Sequence, residues 1–248
     1  AVFVVARDRA HAGDLAERVG GAWAAADLAD ERAVDAAIDA AVVRFGRIDG
    51  LFAVAGGSGR RFGDGPIHDL TLEGWERTLS LNLTTQALTA RGVIRVMRAQ
   101  DPIGRAPGGR GSIVLVSSVL ASRPVPELFA THAYAAAKGA IISLATTMAA
   151  AYAPERIRVN VIAPSLTATA MAQRAAGDSA TIDFARRKQP LVDGFLDAAD
   201  IAPGAIYLLG EESRAVTGQV LTIDGGWSLS ATPAGMGSGA AAGPEPTA

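Results

Sequence analysis

Gly111-Ser-Ile-Val-Leu-Val-Ser-Ser118, with Tyr134-Ala-Ala-Ala-Lys138 beginning sixteen residues beyond its last serine, is the stretch on which the reading of this chain turns. The first part is a short apolar run that stops at two serines. That is the pattern of a parallel strand buried on both faces and ending at a site. In open parallel sheets ligands sit beyond the carboxyl ends of the strands, so Ser118 stands where a substrate oxygen can be held. The second part lies in an Ala-, Ile-, Leu- and Met-rich run, 133–153, that reads as a helix. Residues four apart share a helix face, so the phenol and the ammonium project into the same space. A free phenol, with a pKa of about 10, is a poor proton donor or acceptor at neutral pH. A nearby ammonium favours the phenolate and brings that pKa towards the working range. The chain has only two lysines, Lys138 and Lys188, and three tyrosines. A Tyr-x-x-x-Lys alone would read equally well as a solvated helix face; here it follows a strand that ends in serines.

Outward from this stretch, strand and helix patterns alternate. Strands are expected at 2–6, 22–26, 49–55, 112–117, 157–162 and 219–223. Helices are expected from the end of the first strand to about Val19, and at 30–45, 72–98, 131–153 and 199–210. Such alternation means crossover units and a parallel sheet covered on both faces, an α/β doubly wound architecture. Leu81-Asn82-Leu83 puts one amide inside the apolar face of the long helix, where it needs partners. Two segments break the pattern: 101–110, a Pro/Gly surface loop, and 171–198, expected to cap a substrate pocket. Residues 1–230 read as one domain, and the Gly/Ala/Pro-rich stretch 231–248 as a disordered tail.

Composition narrows the function classes. A length of 248 residues suits one large α/β domain with a sizeable core. A net charge of −2 gives no reason to expect nucleic acid or an anionic membrane surface as partner. With no cysteine there is no disulfide frame and no thiolate chemistry, and a cytoplasmic setting is expected. The longest apolar candidate for a membrane span is interrupted by Lys138. His11, His68 and His132 read as surface or supporting residues rather than bases.

Asn82, the strand ending at Ser118, Tyr134 with Lys138, Arg156-Ile-Arg-Val-Asn-Val-Ile-Ala-Pro164-Ser-Leu-Thr-Ala-Thr169 and Val216-Thr-Gly-Gln-Val-Leu-Thr-Ile-Asp224-Gly-Gly226 follow one another in that order. As an ordered set they resemble the short-chain dehydrogenase/reductase family over roughly residues 1–230. The resemblance implies a Rossmann-like sheet and a catalytic tetrad of Asn82, Ser118, Tyr134 and Lys138. Ser117 competes for the serine role, and the later of the pair matches the family pattern. In that scheme Ser118 hydrogen-bonds the carbonyl oxygen and Tyr134 gives or takes the proton. Lys138 holds ribose hydroxyls and lowers the tyrosine pKa, and Asn82 anchors a water in the proton path. Pro164, Thr167 and Thr169 lie on the loop expected to meet the nicotinamide, together with Tyr134, Lys138, Ala55 and Gly56. Asp27-Leu28 resembles the pair that contacts adenine; alone, Asp27 reads as a loop or capping residue. An acidic residue at the end of the second family strand selects NAD, and a nearby Arg accommodates the 2′-phosphate of NADP. Here that position falls on Ala6 and is followed by Arg7, so NADP(H) is preferred over NAD(H), although Arg7 also reads as one of many surface arginines.

Two departures stand out. Ala53-Val54-Ala55-Gly56 replaces the family's Asn-Asn-Ala-Gly, removing an amide that braces neighbouring strands. The chain also begins at what resembles the second strand, so the fold is expected to be N-terminally truncated. The first strand, the Gly-rich pyrophosphate turn and the first helix would be missing. Gly235-Met-Gly-Ser-Gly239 mimics the turn, but no strand leads into it. A slot is therefore expected between strands 2–6 and 49–54. The glycine-rich loop 57–66 reads either as a pocket wall or as an ordinary surface loop. The resemblance implies an oxidoreductase acting on a small carbonyl or alcohol, in a homodimer or homotetramer. The alternative is a catalytically inactive scaffold that only oligomerises or binds a ligand.

Overall fold

The computed structural model describes residues 1–169 and 179–230, apart from the side chain of Glu127. Strand β1 (Phe3–Ala6) leads into helix α1 (Arg9–Arg18), which starts where the Asp8 carboxylate accepts the His11 N–H at 2.8 Å. Strand β2 (Ala22–Ala25) precedes α2 (Glu31–Phe45). Asp30 caps α2 by accepting from the Arg32 and Ala33 N–H groups, and Gly46 ends it at a φ of 80°. Strand β3 (Gly50–Ala53) is followed by α3 (Leu72–Leu79), a π-helical turn (Ser80–Thr84) and α4 (Thr85–Ala99). Then come β4 (Gly111–Val116), α5 (Pro126–Phe129), α6 (His132–Tyr152) and β5 (Ile157–Pro164). Helix α7 (Ser179–Lys188), α8 (Ala198–Leu209) and β6 (Val220–Ile223) complete the described chain.

All ladders between these strands are parallel. β3, β4, β5 and β6 form a four-stranded sheet in that order, and β1 pairs with β2 in a separate two-stranded one. β4 and β5 are mostly apolar because both faces are covered, and their polar residues Ser112, Arg158 and Asn160 are hydrogen-bonded. Ile113, Leu115, Ile157, Val159 and Val161 pack with α2, α4 and α6, while Val114 and Ile162 face α8. Each such side chain, fully withdrawn from water, contributes roughly 1.5–3 kcal/mol. This is the Rossmann-like doubly wound arrangement.

The helix expected over 72–98 is interrupted by the π turn, and the burial pattern explains why. Gly74, Thr78, Asn82, Gln86 and Ala90 are all buried at a spacing of four. An α-helix turns about 400° in four residues, so such a stripe drifts by about 40° per step. The wider π turn cancels part of that drift and keeps Asn82 and Gln86 aimed at the sheet.

β1 and β3 share no ladder, as the expected slot requires, and Phe52 and Val54 beside the open edge are 39% and 57% exposed. The two sheets are joined through α2 and α4. Arg91 pairs with Glu31 at 2.7 Å and Asp35 at 3.5 Å, and a Cβ at Gly92 would collide with Ile38. Within the expected cap 171–198, residues 179–188 form α7, and 170–178 lie outside the described residues. The expected disordered tail, 231–248, lies outside them too, and so does Gly235–Gly239. No helix among the described residues is long and apolar enough to cross a membrane.

Candidate active site

A cavity of about 1000 Å³ opens beyond the carboxyl ends of β3, β4 and β5, where an open parallel sheet holds its ligands. Its anchor is the last residue of β4. β3 ends opposite Leu115, so the outward peptide groups of Val116 have no strand to pair with. Gln86 replaces the strand: its Nε2 donates to the Val116 carbonyl and its Oε1 accepts the Val116 N–H, both at 3.0 Å. The same carbonyl accepts from Lys138 Nζ at 2.9 Å.

The two serines after β4 face different ways. Ser117 Oγ donates to the Lys138 carbonyl at 2.7 Å and so docks the strand end onto α6. Ser118 Oγ accepts the Leu120 N–H at 3.2 Å and lies beside the Tyr134 phenol, whose pKa it lowers. Both line the cavity, as do Tyr134, Lys138 and Asn82. Asn82, fully buried, donates from Nδ2 to the Thr78 and Gly57 carbonyls and accepts the Gly57 N–H on Oδ1. It thereby braces the loop that follows β3. Both amide hydrogens are engaged, so a water in a proton path would meet only the remaining Oδ1 lone pair.

The electrostatics correct one expectation. Lys138 Nζ lies 5.4 Å from the Tyr134 ring centroid, yet the phenol pKa is pushed up, to about 12, by burial. The Ser118 hydrogen bond pulls it down but does not prevail. Burial likewise brings Lys138 down to about 8, because a buried ammonium with only a carbonyl acceptor lacks a counter-charge. Without a ligand the pair is a protonated phenol beside a destabilised ammonium.

Of the residues expected around a cofactor, Gly56, Tyr134, Lys138, Pro164, Thr167 and Thr169 line the cavity. A Cβ at Gly56 would stand 2.8 Å from Asn82 Oδ1 and 3.7 Å from Lys138 Nζ, so only glycine permits this approach. Ala55 is half-buried just behind it. Arg7, exposed after the last residue of β1, and Asp27 and Leu28 lie outside the cavity. Asp27 accepts the Ala29 N–H at 3.0 Å in a local turn, and Leu28 packs on the main core.

Two supports carry no motif in the sequence: Gln86, and Asp64 in the glycine-rich loop. Buried Asp64 accepts the Ala133 N–H at 3.0 Å and the Tyr134 N–H at 3.1 Å, capping α6 at the turn that carries the phenol. Desolvation raises its pKa against those two hydrogen bonds. The signal for Gln86 was its place four residues after Asn82 on one helix face. For Asp64 it was a carboxylate in a loop otherwise rich in glycine.

A model of the family described as enoyl-(acyl carrier protein) reductase matches residues 1–228. The chain is 36% identical over 231 residues to the inactive 2-(S)-hydroxypropyl-CoM dehydrogenase 2 of Xanthobacter autotrophicus, covering 91% of this chain and 94% of that one. Among solved structures it is similar to a gluconate 5-dehydrogenase from Burkholderia cenocepacia in complex with NADP and tartrate. That match has a TM-score of 0.81 and 28% identity, over 92% of this chain and 85% of that one. It is also similar to a 3-ketoacyl-(acyl-carrier-protein) reductase from Brucella melitensis complexed with NADH. There the TM-score is 0.77 and the identity 27%, over 92% and 88% of the two chains. The chain belongs to the short-chain dehydrogenase/reductase family of oxidoreductases.

Two measurements check the site's electrostatics and support. From about pH 8 to the ordinary lysine value of 10.5, the unfolded chain keeps a proton that folded Lys138 has released. Stability therefore rises with pH across that window, and Lys138→Met should remove the slope in urea unfolding. For Tyr134 the sign is opposite: from 10 to about 12 the folded chain keeps the proton, so stability falls. The highest tyrosinate step in an ultraviolet titration should vanish in Tyr134→Phe. Separately, Asp64→Ala should lower stability by roughly 1–2 kcal/mol, the usual cost of a lost helix cap. A change below about 0.3 kcal/mol would show that water replaces the cap without loss.

Proposed function

We propose that the chain is an NADP(H)-dependent oxidoreductase that interconverts a small-molecule ketone and a secondary alcohol, with Tyr134 as the proton-transfer group. The observation that carries this reading is the convergence of Ser118, Tyr134 and Lys138 on the cavity, with Lys138 Nζ 5.4 Å from the centroid of the Tyr134 ring. When bound, the nicotinamide supplies or accepts a hydride. The chain's own residues hold the substrate and move the proton. Ser118 hydrogen-bonds the carbonyl oxygen, and the Tyr134 hydroxyl gives that oxygen its proton in reduction and takes it back in oxidation. A phenol kept protonated by burial is ready for the reductive direction. The Lys138 ammonium, with two of its three hydrogens unengaged among the described residues, is suited to ribose hydroxyls and offsets the charge of the phenolate after transfer. Asn82 keeps Gly56 and Gly57 at the cavity wall.

The residues fit the nicotinamide-ribose half of the cofactor. The glycine approach at Gly56 leaves room, Lys138 lacks a counter-charge, and Pro164, Thr167 and Thr169 complete the wall. They do not fit the pyrophosphate half, since among the described residues no glycine turn opens a helix between β1 and β3. The open edge there is where this reading puts the family's first strand–turn–helix unit. Arg7 beyond β1 supports NADP(H), while the two similar structures hold NADP in one case and NADH in the other. Residues 1–230 act as one domain in this reading, cytoplasmic, in a homodimer or homotetramer. The second reading, an inactive scaffold, draws on the same open edge and on a relative that is itself called inactive.

In a form that binds cofactor, Tyr134→Phe should abolish turnover and leave NADPH affinity nearly intact, whereas Lys138→Ala should damage both. More than a few per cent of activity in the Phe variant would remove Tyr134 from its role. Arg7→Ala should weaken NADPH far more than NADH, and equal losses would show that Arg7 does not read the phosphate. The 248-residue chain should bind NADPH poorly in fluorescence titration. Fusing a glycine-rich strand–turn–helix unit ahead of Ala1 should bring tight binding and ketone reduction. Tight binding without the added unit would refute the account of the open edge. Binding without reduction in the fusion would favour the scaffold.

A further inference from the structure

The described charges that line the cavity are of one sign. Among the described residues that line it, Lys138 and Arg60 are the charged ones, and there is no carboxylate. Lys138 is engaged at the end of β4, but nothing in the proton-transfer chemistry uses Arg60. This arginine is exposed overall and touches the cavity, so it stands at the mouth, on the side where Leu128 and Phe129 form the wall. One guanidinium nitrogen, Nη2, donates to the Leu128 carbonyl at 2.9 Å, which holds the group against that wall. Asp64 is near enough to feel its charge, yet both Asp64 oxygens are occupied by the N–H groups of α6. Arg60 makes no ion pair within 4.0 Å among the described residues, and its other guanidinium donors have no acceptor there.

The rest of that wall is apolar: Val119, Leu120, Leu128, Phe129 and Trp227. Trp227 is almost completely buried and adds to the hydrocarbon. An Arg side chain only donates. A wall that offers hydrocarbon, with a planar cation at its rim, matches a ligand with an apolar body and an anionic end. Arginine holds carboxylates with two parallel hydrogen bonds, which fixes orientation as well as charge.

We infer that the substrate is a ketone carrying a carboxylate on an apolar body, with Arg60 as the residue that selects the charged end. This rests on the oxidoreductase reading for the ketone, but the anion site is testable without turnover. The probe is 4-oxopentanoate, with its methyl ester as the neutral counterpart, titrated calorimetrically into the full 248-residue chain. Wild type should bind the acid at least about tenfold more tightly than the ester. Arg60→Gln should erase that preference while leaving ester binding unchanged, Arg60→Lys should keep part of it, and Tyr134→Phe should retain it. Circular dichroism of each variant identifies a loss due to misfolding. Equal affinities for acid and ester, no binding of either, or a preference that survives Arg60→Gln in a folded protein overturns the inference. NADPH oxidation with both ketones in the cofactor-binding fusion separates it from the reading beneath. An acid preference without reduction of either ketone would sink the oxidoreductase and leave the anion site. Equal kcat/KM for both ketones, unaltered by Arg60→Gln, would do the reverse.

Discussion

One carbonyl group holds the site together. Val116 ends β4 one residue beyond the reach of β3, and its free peptide groups must be satisfied inside the protein. Gln86 takes both of them, and Lys138 shares the carbonyl. The hydrogen bonds that settle this strand end therefore also fix the ammonium, and through α6 they fix the phenol one helical turn before it. Ser117 adds a bond from the next residue to the Lys138 carbonyl. Little freedom is left between sheet and helix, which is what a group that must meet a substrate oxygen at hydrogen-bond distance requires.

Burial is the other constraint, and it acts on both members of the pair in the same sense, favouring the neutral form. It raises the phenol and lowers the amine. Proximity of opposite charge would do the reverse, and here it is the weaker effect, because the ammonium is only about half formed near pH 8 and spends itself on a carbonyl. A negative ligand beside Lys138 would change that balance by restoring the missing counter-charge.

Much of this was legible in the residues. Period and punctuation located every strand and most of the helices, since parallel strands covered on both faces are mostly apolar without alternation and Asp30 marks a helix start. The tetrad positions lie together because each stands at a strand end or on a helix face already fixed by pattern. The π turn was not legible, since it comes from the aim of a four-spaced stripe rather than from any residue's own preference. Nor were the supports Asp64 and Gln86, whose partners are backbone groups, which carry no sequence. The phenol's pKa was misjudged for a related reason: spacing on a helix reveals the neighbouring charge but not the loss of water around both groups.

The parting between β1 and β3 bears on how the molecule comes apart. A shared ladder makes neighbouring strands open together, and here that bond between the two sheets is missing. The unit from β1 to α2 is held to the rest by the side of α2, through Val34, Ile38 and the Arg91 ion pairs. Exposed pairs of that kind are screened by salt, whereas the apolar contacts are not. Within the described residues this unit therefore has fewer ties than the four-stranded sheet, whose amides can stay protected while those of β1 and β2 exchange.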